Sequence, residues 1–149
     1  TMLNHGIVVG LGTDGPSSNN NLDMFLEMDT AAKLEKVERL DPTVMSAHTV
    51  TRMATRNGAK ALGMETVAGS LETGKKADVI IIDMNKPHLT PLYNEYSHLA
   101  YAVKGDDVTT SIINGTIVME NRKLLTIDEA GVMNRVRGIA EKIKRSLNM

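Results

Sequence analysis

Residues 7–11, Ile-Val-Val-Gly-Leu, restrict the fold of this chain more than any other stretch. A run without a polar side chain reads as a strand buried on both faces, and such strands sit inside parallel sheets with neighbours on each edge. Nothing between this strand and residue 79 supplies a second strand of that kind. The first half reads instead as one strand over 7–13, a loop, and helices. On this pattern the chain resembles the tail of a larger unit whose other strands would flank the first.

The strand runs through Gly10-Leu11-Gly12 and delivers a carboxylate, Asp14, at its carboxyl end. In α/β folds that end of a parallel strand is where sites are built, because the loops there converge on one open face. The alternative is an Asp that only caps the following helix. That helix begins near Leu22, too far for Asp14 to reach, and Asn19, Asn20 or Asn21 can cap it instead. Asp14 is therefore the candidate catalytic residue.

Helical spacing of Leu22, Phe25, Met28 and Ala32 continues to about Leu40, where Asp41-Pro42 breaks the pattern. Ser46 caps a helix carrying Val50, Met53 and Ala54, and Thr55 is placed to cap a short one that stops at Gly63. Beyond Gly63 the composition shifts towards strands. Val79 to Ile82 is one, "SHLAYAV" is a second candidate, and "VTTSIINGTIVMENRKLL" is a hairpin turning at Asn114-Gly115 in the I′ manner. Asp128 caps a last helix with an apolar stripe of Val132, Val136, Ile139, Ala140, Ile143 and Leu147, expected to be buried in a core.

Several function classes lose support from composition. With 17 basic against 18 acidic residues the net charge is -1, so no nucleic-acid partner is implied. The absence of cysteine removes disulfides and thiolate metal sites and fits a reducing compartment such as the cytoplasm. No run reaches the length of a membrane span, and no signal-peptide pattern opens the sequence. His5, His48, His88 and His98 show no ligand spacing; the last three read as surface or packing residues, and His5, near the Asp14 strand in sequence, enters at its opposite end. "GSLETGKK", residues 69–76, falls one residue short of a phosphate-binding loop. Lys76 stands where a metal-binding hydroxyl belongs, and a strand follows where a helix should. It reads as a tight turn feeding that strand.

Four stretches in order, "VGLGTDGPSSNNNLDMFLEM", "MATRNGAKALGM", "GSLETGKKADVIIID" and "PLYNEYSHLAYAVKGDDVTTSIINGTIVMENRKLLTIDE", resemble the C-terminal part of the amidohydrolase superfamily. The similarity is strongest to the branch of 5-methylthioadenosine/S-adenosylhomocysteine deaminases and TRZ/ATZ chlorohydrolase-like enzymes. That resemblance implies an α/β plus β fold: the last βα unit of a (β/α)₈ metal-dependent hydrolase barrel, then the C-terminal share of a small composite β-sandwich with a closing helix. Residues 1–63 would be the barrel part and residues 64–149 the sandwich part.

It also implies a divalent metal, usually zinc, held by an H-x-H pair, two further histidines and an aspartate after the eighth strand. Asp14 matches that aspartate, which serves the family as metal ligand and as proton shuttle from the attacking water to the leaving nitrogen. The histidine ligands match nothing here. The resemblance thus implies a fragment of a deaminase that hydrolyses C–N bonds of a small-molecule aminopurine, inactive and metal-free in isolation. The competing reading is a non-catalytic β-rich module that assembles through its sheet edges. Either way, unpaired edges are expected to promote self-association.

Overall fold

The computed structural model describes residues 2–147. A one-turn helix α1 (Pro16–Asn19) precedes α2 (Met24–Arg39), and α3 (Ala47–Arg52) runs through a π-helical turn (Met53–Asn57) into α4 (Gly58–Ala61). Strand β1 (Val79–Ile82) is followed by α5 (Glu95–Ser97), which continues as a second π-turn (His98–Ala102). Strands β2 (Val108–Ile113), β3 (Thr116–Glu120) and β4 (Lys123–Leu124) come next, and α6 (Glu129–Ser146) ends the described chain. The four strands form one antiparallel sheet in the order β1-β2-β3-β4.

The main buried cluster lies among the helices, while the sheet contributes Val108 and Met119 to the buried residues. Met28 and Ala32 of α2, Val50 of α3 and Ala100 of the second π-turn are buried together, with Leu11, Phe25, Met45 and Tyr101 packed around them. Small side chains at Ala32 and Ala100 let three helical segments approach closely, which is what a dense interior requires. Lys36 locks the same region. Its ammonium donates to the carbonyls of Val44 and Met45, each at 2.8 Å, and to the Tyr101 hydroxyl at 3.1 Å. The α2 C-terminus, the 41–46 loop and the 98–102 turn are thereby tied to one point.

Residues 7–13 do not form the expected strand; no ladder runs along them among the described residues. A strand is defined by its neighbours, and no other segment here offers a free edge beside it. The backbone is held from the helical side instead. Leu11 N–H donates to the Met53 carbonyl at 3.2 Å, and the Asn57 side-chain amide donates to the Val9 carbonyl at 3.3 Å. Met53 and Asn57 bound the first π-turn, a local widening that turns one helix carbonyl outward to the 7–11 segment. Gly10 fits there because a Cβ would stand 3.1 Å from the Gly58 Cα.

Three further expectations need correction. "SHLAYAV" is helical: Asn94 Oδ1 accepts from Ser97 N–H at 2.8 Å, and this cap starts a turn whose Ala100 the core needs. Thr55 caps nothing, because the helix runs on through it and its hydroxyl donates to the Thr51 carbonyl at 2.7 Å. The α6 stripe is not buried. Val136 is 57% exposed, Ile139 56% and Ile143 52%, and no residue of α6 is buried. Its Asp128 cap is present, accepting from Gly131 N–H at 3.0 Å, so local signals build the helix although nothing described covers it.

Candidate functional site

Asp14 projects from the end of the 7–13 segment at φ 55°, a left-handed conformation in which Asp is one of the few tolerated residues. This twist turns the chain out of its extended path and into α1. Pro16 at the first helical position and the Gly15 carbonyl, accepting from Ser18 and Asn19 N–H, start that turn at once. As a result Ser18 stands over the acid, and its hydroxyl donates to Asp14 Oδ2 at 2.7 Å. The Ser18 hydroxyl and then the Gly15 N–H hold this exposed carboxyl below its ordinary range, ionised at neutral pH.

The polar run after Asp14 is a set of braces. Asn19 donates to Glu27 Oε1 at 2.6 Å, reaching into the first turn of α2. Asn21 Oδ1 accepts from Asp23 N–H at 3.0 Å, and Asp23 Oδ1 accepts from Phe25 N–H at 2.9 Å. Asp23, not one of the three asparagines, therefore caps α2. Its other oxygen accepts from Gly105 N–H at 3.1 Å, which pins the Asp14 loop to the start of the sheet. Ser18 and Asp23 were legible only as members of a polar loop; the i+4 spacing of Ser18 from Asp14 is the one signal that marks it.

Three of the four histidines take structural places. His48 packs edge-on against Tyr96 with ring centres 4.7 Å apart, and His98 Nδ1 lies 3.2 Å from the Asn94 carbonyl. His88 Nε2 stands 3.0 Å from Asp107 Oδ2, while Lys86 Nζ reaches Oδ1 at 2.8 Å and Lys104 N–H donates to Oδ2 at 2.8 Å. Asp107 is the buried charged residue of the described chain. Burial alone would push its carboxyl up, but the three donors outweigh that and hold it well below the usual range. No sequence spacing pointed to this hub. "GSLETGKK" is a turn before β1, as expected from the strand that follows it.

Among the described residues no three His, Cys, Asp or Glu side chains converge as a metal would require. Asp14 has the chemistry of a ligand: ionised, exposed and braced. A carboxylate of this kind can serve as a metal ligand, and no further ligand groups converge on it among the described residues.

The Amidohydrolase family matches residues 1–118. The chain is 62% identical over 146 residues to 5-methylthioadenosine/S-adenosylhomocysteine deaminase 1 of Syntrophus aciditrophicus, covering 98% of this chain and 33% of that protein. It is 52% identical to the 5'-deoxyadenosine deaminase of Methanosarcina acetivorans, over 99% of this chain and 34% of the relative. Among solved structures, an adenosine deaminase from Xanthomonas campestris with bound zinc superposes with a TM-score of 0.92 at 37% identity, over 97% of this chain and 33% of that one. Atrazine chlorohydrolase TrzN from Arthrobacter aurescens, complexed with zinc, gives 0.81 at 26% identity, over 91% and 30%. This chain belongs to the amidohydrolase family. It spans about a third of the length of the curated relatives it matches.

Proposed function

We propose that these 149 residues form the C-terminal part of a metal-dependent deaminase of the methylthioadenosine/S-adenosylhomocysteine type. The reaction is hydrolysis of the C–N bond to the exocyclic amine of an aminopurine nucleoside. Residues 1–63 correspond on this reading to the last βα unit of a (β/α)₈ barrel, and residues 64–149 to the C-terminal share of a composite β-sandwich. The observation that carries the proposal is Asp14: an ionised carboxylate at the end of the 7–13 segment, in a chain matched end to end by deaminases.

In the complete enzyme Asp14 would give one oxygen to the metal, zinc by likeness to the zinc-bound solved relatives. A divalent cation there supplies Lewis-acid activation of water. Asp14 takes the proton from the attacking water and returns it to the departing nitrogen, which leaves as ammonia. Its carboxylate is ionised at neutral pH and so can accept that proton, and the Ser18 hydroxyl holds its Oδ2 in place. The chain by itself holds one ligand of the set and is expected to be inactive.

The test joins this chain to the preceding two thirds of the Syntrophus aciditrophicus deaminase. Ammonia release is then measured with methylthioadenosine, S-adenosylhomocysteine and 5'-deoxyadenosine. Zinc-dependent turnover that Asp14→Asn abolishes is the expected result. A chimera that binds zinc and turns over equally well with Asn at position 14 would remove Asp14 from the mechanism. Turnover by the 149 residues alone would show that they make a complete site.

A further inference from the structure

Arg52, Arg56 and Lys60 follow one another at four-residue intervals along the continuous helix of α3, the first π-turn and α4. They line a single concavity of about 250 Å³ with Ser70 and Lys75 of the 69–76 turn. Like charges one turn apart repel, and such a row weakens a helix unless an anion answers it. Glu65 is the one carboxylate in the lining. Glu72 is engaged by Ser70 and Lys75 and also feels the charge of Arg56, but no ion pair to Arg52, Arg56 or Lys60 occurs among the described residues.

The concavity is held open by rigid parts. Gly69, at φ 86°, brings the turn so close to the helix that a Cβ would stand 2.5 Å from the Ala59 Cβ. Lys76 N–H donates to the Val67 carbonyl at 2.9 Å and closes the turn on itself. Lys75 is largely withdrawn from solvent, at 15% exposure, with its ammonium 2.6 Å from the Ser70 hydroxyl. One cation, shared with Glu72 at 3.3 Å, is therefore positioned before any ligand arrives, and Arg52 and Arg56 line the same concavity.

We propose that this concavity binds a phosphate-bearing small anion, with Arg52, Arg56 and Lys60 recognising a diphosphate group beside Lys75 and Ser70. The four cations Arg52, Arg56, Lys60 and Lys75 exceed what Glu65 and Glu72 can answer, and the planar fork of Arg matches phosphate oxygens in pairs. The volume suits a diphosphate and excludes the whole of a larger ligand. The mode is not that of a phosphate-binding loop: the cations come from a helix face, and no metal-holding hydroxyl follows the turn. This site is separate from Asp14 and stands whether or not the deaminase reading holds.

Calorimetric titration of the 149-residue chain with inorganic pyrophosphate, and separately with ADP, tests it. Saturable one-to-one binding is expected, weakening as salt is raised. Arg52→Gln/Arg56→Gln should lower affinity about tenfold or more while leaving the thermal melt in place, since both side chains are exposed. Lys142→Gln/Arg145→Gln, on α6, removes equal charge elsewhere and should leave binding intact. Equal affinity for both probes assigns the site to the diphosphate; tighter binding of ADP adds a nucleoside resting outside the concavity. No binding of either probe overturns the proposal, as does binding that Arg52→Gln/Arg56→Gln leaves unchanged. Equal weakening by the α6 variant, or tighter capture of a single-stranded oligonucleotide, would show a general polyanion effect and overturn it too.

Discussion

Asp14 and Asp107 are both held ionised, for opposite purposes. Asp14 stands in solvent with a hydroxyl donor, so its charge remains available for chemistry. Replacing Ser18 with Ala removes the larger cause of its low pKa. The Asp14 carboxyl should then titrate at higher pH when followed by carbon NMR, and an unchanged titration would show that Ser18 does not tune it. Asp107 is enclosed and joins Lys86, His88 and the Lys104 backbone. Its folded pKa is depressed, so its contribution to stability is fully present above about pH 4 and is lost as pH falls below that. Asp107→Asn should cost about 3 kcal/mol at neutral pH, low for a broken buried pair because Lys86 and His88 keep some contact with water. Comparative melts at pH 7 and pH 3 check this: the gap between wild type and variant should shrink in acid. A gap of constant size would assign the loss to packing instead.

At the level of elements, the turn at Gly69 and the helix α6 behave in contrasting ways. Gly69 combines a left-handed φ with near contact to Ala59, the Thr55 carbonyl and the Arg56 Cα. Gly69→Ala is expected to destabilise by about 2–3 kcal/mol, from the conformational cost and the collision together. A chemical denaturation curve that superposes on wild type would mean the turn can shift away from the helix. The hairpin turns obey local rules. Asn114 and Gly115 lie at φ 50° and 80°, and Asn121 and Arg122 repeat the pattern at 47° and 66°. Arg122 is a poor residue for that conformation. Its guanidinium compensates by donating to the Gly105 and Val108 carbonyls at 3.1 Å each. In α6, Ile139→Asp should change the melting free energy by no more than about 0.5 kcal/mol, because its side chain is exposed in this chain. A loss of several kcal/mol would show that the stripe is buried after all.

The whole molecule exposes too much surface for its size. A folded monomer of 16.2 kDa has roughly 7,500 Å² of accessible area by the usual scaling. This chain has 10515 Å². The excess, about 3,000 Å², is of the order that obligate subunit interfaces bury. Much of it is apolar: the α6 stripe, Ile80 and Ile81 on β1, and Ile7 in the segment that lacks strand partners. In the zinc-bound adenosine deaminase the superposable part is a third of the chain, so further protein is available to cover such faces. Alone, the 149 residues are expected to self-associate at micromolar concentration. Light scattering should report species above monomer mass, and Ile139→Asp combined with Ile143→Asp should reduce them. A monodisperse monomer in both cases would mean that these faces tolerate water.

What the sequence determined by itself is local. Caps at Ser46 and Asp128, the turn at Asn114-Gly115, the strand Val79 to Ile82, the helix through Met28 and Ala32, and a carboxylate delivered at Asp14 all follow from side chains acting on neighbouring backbone. Tertiary structure decided whatever needs a distant partner. Residues 7–13 have strand composition but no ladder, since a strand exists only against another edge. "SHLAYAV" alternates enough to suggest a strand, yet Ala100 is drawn into a helical core by Met28, Ala32 and Val50. The stripe of α6 is amphipathic by sequence and bare in space, because amphipathicity states that a face needs covering and not what covers it. The same holds for the site. A carboxylate on a Gly-flanked segment end was visible in the residues, with its Ser18 donor only four residues on, whereas the Asp23 link to Gly105 and the Asp107 hub depend on how the chain returns upon itself.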